Sequence, residues 1–91
     1  MEKIDFTKEE REIIAEFAYS YEQDILIVGD AEKVLEVLNN KNLIDNHKEL
    51  VNGIKNKING TADAIMDELF SKISDEQGNE IMNEYMGVKT N

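Results

Sequence analysis

Only one stretch of this 91-residue chain, Ile25-Leu26-Ile27-Val28, has the run of aliphatic and β-branched residues that suits a strand. A strand needs a partner for its backbone groups, and no second candidate occurs. There is no proline anywhere in the chain to break a helix. Together these features confine it to helices, and Asp24–Val28 reads as the end of the first one. The expected fold is all-α, a small helical bundle of four to five helices, forming a single domain over residues 1–91.

Local signals place the elements. Thr7 with Glu10 three residues on is a capping box, and Lys8-Glu9-Glu10 puts carboxylates where the helix dipole favours them. Ile13, Phe17, Tyr21 and Val28, widened by Ile14, Ala18 and Ile25, form an apolar stripe that Gly29 is expected to stop. Asp30 then caps a short second helix with Val34, Leu35, Val37 and Leu38 inward, followed by a polar loop at Asn39-Asn40-Lys41-Asn42. Leu50, Val51, Ile54, Ile58, Ala62, Ile65, Leu69, Phe70 and Ile73 keep one rhythm across Gly60-Thr61. That rhythm allows one long helix, but Gly60 as a stop and Thr61 as a cap predict two. Ser74-Asp75-Glu76-Gln77 is a second capping box, opening a last helix with Ile81, Met82, Tyr85 and Met86 inward and Gly87 ending it. Residues 1–6 and 88–91 are expected to be short flexible ends.

The chain lacks cysteine, which excludes disulfides, thiolate zinc sites and thiol catalysis and fits a reducing, cytoplasmic setting. Met1–Phe6 has no signal-peptide character, and the longest apolar run, at four residues, is far from the roughly 20 that span a bilayer. Lysine outnumbers arginine 9 to 1, with 11 Ile and 10 Asn, a bias expected of AT-rich coding in a low-GC bacterium or its phages.

Candidate chemistry is sparse. His47 is the single imidazole, and Asp45 and Glu49, two residues away on either side, cannot face it on a helix. It reads as a half-buried structural residue. Asp63 and Asp67 stand one turn apart, as a solvated acidic face does. No Glu-x-x-His pair, calcium loop, phosphate-cradling glycine loop or Gly-x-Ser-x-Gly elbow is present. The expectation is a protein that is not an enzyme and holds no metal or cofactor.

Charge says more. Ten basic against 20 acidic residues leave a net charge of −10, which disfavours nucleic acid and anionic membranes as direct partners and favours basic proteins. Residues 1–38 carry −7, residues 39–60 carry +2 and residues 61–91 carry −5. Glu9, Glu12 and Glu16 share one helix face, continued by Tyr19 and Gln23, and Glu76, Glu80 and Glu84 share another. Like charges one turn apart destabilise a helix by a few tenths of a kcal/mol at most. These residues are the candidate partner-binding face, with carboxylates spaced to imitate phosphates. Met66, Met82 and Met86 fall near Phe70 and Tyr85 in the pattern, as core filling or as an adaptable contact surface.

The function expected is therefore an acidic helical binding protein that engages and inhibits or regulates a basic, nucleic-acid-handling protein, as a phage anti-defence inhibitor or a nuclease immunity protein would. The alternative is a homo-oligomer that binds a small anionic ligand between subunits through Lys48, Lys55 and Lys57, the available cationic cluster.

Overall fold

A computed structural model describes residues 3–90 of the chain, and the side chains of residues 3–87. Five helices and no strand occur among the described residues: α1 (Lys8–Glu22), α2 (Val28–Asn40), α3 (His47–Lys55), α4 (Thr61–Lys72) and α5 (Asp75–Thr90). The chain is a small all-α bundle. Its centre is α2, which packs against α1, α3 and α4, while α5 lies on α1 and α3 lies on α4. Phe17, Ile14, Leu35, Leu38, Ile54 and Ile65 are among the fully buried side chains. The radius of gyration, 12.5 Å, matches the ~12 Å expected of a folded domain this long.

The N-terminus of α1 forms as its sequence dictates. The Thr7 hydroxyl accepts from the Glu10 backbone N–H at 3.1 Å, and the Glu10 carboxylate accepts from the Thr7 N–H at 2.8 Å. Its C-terminus departs from the expectation, because the helix stops at Glu22 and Asp24–Ile27 is not helical. Asp24 adopts φ 59°, and the N–H groups of Asp24 and Ile25 bond back to the carbonyls of Tyr21 (3.1 Å) and Ser20 (2.9 Å). That is a Schellman closure, in which a left-handed residue lets the next amides satisfy orphan carbonyls. The same closure ends α2 at Asn42 (φ 58°) and α3 at Lys57 (φ 54°). Gly29, read as a stop, instead lies in the first turn of α2, and Asp30 follows it there without acting as the cap.

The break between the third and fourth helices is real, but α3 ends at Lys55. Gly60 is the residue that precedes α4, at φ +87°, and Thr61 is the first helical residue. Gly53 has a separate role. A Cβ there would stand 2.5 Å from the Thr61 hydroxyl oxygen, so the bare backbone lets α3 and α4 approach closely. Gly87 does not end α5, which continues to Thr90.

The segment before α1 is not a flexible arm where it is described. Phe6 is buried in the core and Ile4 packs against it. The Gln77 amide accepts from the Ile4 N–H at 3.1 Å and donates to the Ile4 carbonyl at 2.6 Å, pairing with one residue from both sides as a neighbouring strand would. Gln77 is itself buried. The second capping box is therefore half made: the Ser74 hydroxyl accepts from the Gln77 N–H at 3.1 Å, while the Gln77 side chain is spent on Ile4. Met1, Glu2 and Asn91, parts of the expected flexible ends, lie outside the described residues, as do the side chains of residues 88–90.

Candidate acidic interface

Glu9 and Glu12 are exposed on α1, Glu16 is half-buried, and Tyr19, 39% exposed, closes the row. None of the three carboxylates stands in an ion pair among the described residues. The Tyr19 ring lies 6.0 Å from the Tyr85 ring with the planes tilted by 52°. That contact joins α1 to α5 beside the acidic row.

The α5 row differs. Lys3 reaches Glu80 at 2.7 Å, and Arg11 reaches Glu84 with two nitrogens, Nε at 2.8 Å and Nη2 at 3.3 Å. Arg11 Nη1 also donates to the Phe6 carbonyl at 2.8 Å. The single arginine thus ties the N-terminal segment, α1 and α5 together through its planar fork. Its hydrogen bonds hold the Glu84 carboxyl below the usual carboxylate range, and the Arg11 guanidinium is raised in return. Hydrogen bonding to Glu80 likewise raises Lys3. Glu76 is exposed and takes no ion pair among the described residues. Sequence spacing put Glu76, Glu80 and Glu84 on one face, but two of the three spend their charge inside the molecule.

The cationic cluster of the alternative reading lies on α3 and the loop after it. Lys48, Lys55 and Lys57 are all exposed, and Lys57 borders a groove of about 440 Å³ between the α1–α2 loop and the α3–α4 loop, whose lining includes neither Lys48 nor Lys55. His47, at the first position of α3, is half-buried. Among the described residues no group of three or more His, Asp or Glu side chains is placed to hold a metal ion, and no helix is long and apolar enough to cross a membrane.

Other polar placements follow from packing. The Tyr21 hydroxyl donates to Asp63, linking α1 to α4. That bond, with desolvation and the nearby Asp67 and Asp24 charges, raises the phenol. Of the four residues expected inward on the last helix, Ile81 is buried and Met82 and Tyr85 half-buried, whereas Met86 is exposed. Met66 is half-buried and Phe70 exposed.

A feature that periodicity misses is the exposure of Ile25 (55%), Leu26 (46%), Ile27 (46%) and Ile58 (55%) at one end of the bundle. Its sequence signal is the apolar run at residues 25–28, of which the helical reading put Ile25 and Val28 in the inner stripe, as it put Ile58 in the apolar rhythm of the later helices. Comparison with protein-family models, with curated protein sequences and with solved structures finds no match.

Proposed function

We propose that this chain is a non-enzymatic binding protein that engages a basic protein and inhibits or regulates it, with the α1 row as the contact. One observation carries the reading. Glu9, Glu12 and Glu16 have no ion-pair partner among the described residues, while Lys3, Arg11 and Lys41 are committed to Glu80, Glu84 and Glu10. Carboxylates repeated along one face without an ion pair direct their potential outward, and it steers a cationic surface towards them. Tyr19 supplies the amphipathic anchor that such contacts favour. Glu76 extends the acidic surface on α5, and Glu80 and Glu84 support it by holding the N-terminal segment against α5. A basic partner of the kind that handles nucleic acid has the matching charge.

The test is affinity capture from a lysate with the intact chain and with the Glu9→Lys, Glu12→Lys, Glu16→Lys triple variant, at low and high salt. The expected result is a basic protein retained by the native chain, released by salt and absent from the variant, whose helix content is unchanged. Equal retention by both proteins sinks the assignment of the α1 face.

A further inference from the structure

We infer that the exposed apolar end of the bundle is a docking surface for a second copy of this chain, related by a two-fold axis that passes near Leu26. The surface is built by two loops. The α1–α2 loop presents Ile25, Leu26 and Ile27, and the α3–α4 loop presents Ile58. Two grooves meet there, since Leu26 and Ala62 line both. A Schellman closure immediately before each loop, at Asp24 and at Lys57, fixes where these side chains are presented. In such closures the following residue ordinarily packs back on its own helix. Leu43, after α2, is half-buried in that way, whereas Ile25 and Ile58 stay in solvent.

Charge selects the occupant. The first groove, of about 400 Å³, carries Glu22, Asp24 and Asp63 on its rim. The second carries Lys57, with Lys55 two residues earlier at the end of α3. The surface is therefore acidic at one side, aliphatic in the middle and basic at the other. A uniformly basic partner meets Lys57 and a uniformly acidic one meets three carboxylates. A second copy turned through 180° sets unlike ends together twice, the self-complementarity that an isologous interface requires. Four aliphatic side chains about half exposed supply on the order of 300–400 Å² of apolar surface per copy, against about 800 Å² per partner in a standard interface. The dimer is accordingly weak, below the size class of stable interfaces.

Sedimentation equilibrium of the full chain from about 5 μM to about 1 mM tests this. The mean mass is expected to rise from that of the 10.4 kDa chain towards twice that value. Leu26→Asp, at an exposed position, abolishes the rise with unchanged circular dichroism, and Ile58→Asp does so from the other loop. Glu22→Lys and Lys57→Asp each weaken self-association at least about tenfold, and mixing the two variants restores it as a heterodimer. Aspartate is chosen at position 57 because it tolerates the left-handed backbone. A monomer at every concentration overturns the inference, as does association that survives either apolar-to-Asp change or a mixture no tighter than its components. The α1 triple variant is expected to dimerise normally, so failure of the partner-binding reading leaves this result untouched.

Discussion

Replacing Gln77 by methionine keeps the length and burial of the side chain but removes both hydrogen bonds that hold Ile4. Each such bond contributes a net ~0.5–1.5 kcal/mol, and Ile4, half-buried, can recover part of its loss from water. The expected cost is about 2 kcal/mol, a sizeable share of the roughly 5–14 kcal/mol available to a domain of this size. In urea, with a slope of ~1–3 kcal/mol/M, the midpoint moves down by about 1 M at unchanged slope. On heating, the midpoint falls by roughly 8–16 °C. Helical ellipticity during urea unfolding reads the first quantity directly. The decisive comparison repeats Gln77→Met in a chain lacking residues 1–5, where the clasp has nothing to hold. There the substitution should cost under about 0.5 kcal/mol. An equal cost in both backgrounds would refute the clasp and leave Gln77 as a packing residue of α5.

Two other outcomes are expected. Lys57→Gly relieves a left-handed residue whose Cβ costs ~1–2 kcal/mol, offset by the greater freedom of glycine in the unfolded chain. Equilibrium unfolding should show a net gain of about 0.5–1 kcal/mol, and a loss contradicts the closure as described. At Glu10 the Thr7 backbone N–H, with Lys41 adding to it, lowers the carboxyl from its ordinary 4.5. A group depressed in the folded state stabilises above its unfolded pKa, and that contribution disappears as pH falls through the folded value. Unfolding measured from pH 7 down to pH 3 should therefore show native chain and Glu10→Gln differing most at neutral pH, with the gap closing below about pH 4.5. A gap that widens with acid refutes the assignment.

The contrast between Thr7 and Gln77 shows how far the residues alone reach. Thr7 begins one capping box by spacing and Gln77 closes the other, and the backbone half of each forms. Glu10 completes its box because nothing else competes for its side chain except Lys41, whereas Gln77 faces an N-terminal segment 73 residues away whose backbone needs a partner. The acidic rows divide the same way. Spacing puts Glu80 and Glu84 on a solvent face, and only the packing of α5 on α1 brings Lys3 and Arg11 to them. The acidic face of α1 was legible because it depends on one helix. The apolar end of the bundle was not, because its exposure depends on where two helices stop.

Helical class, the α1 start, the inner stripe of α2 and the excess of negative charge follow from the sequence, since they rest on contacts within a few residues of one another. The helix ends at Asp24, Asn42 and Lys57, the clasp on Ile4 and the choice of which carboxylates stay unpaired belong to the tertiary structure. There an apolar stripe that could have continued is cut short, because closing the backbone and packing α2 among its neighbours is worth more than extending one helix into solvent.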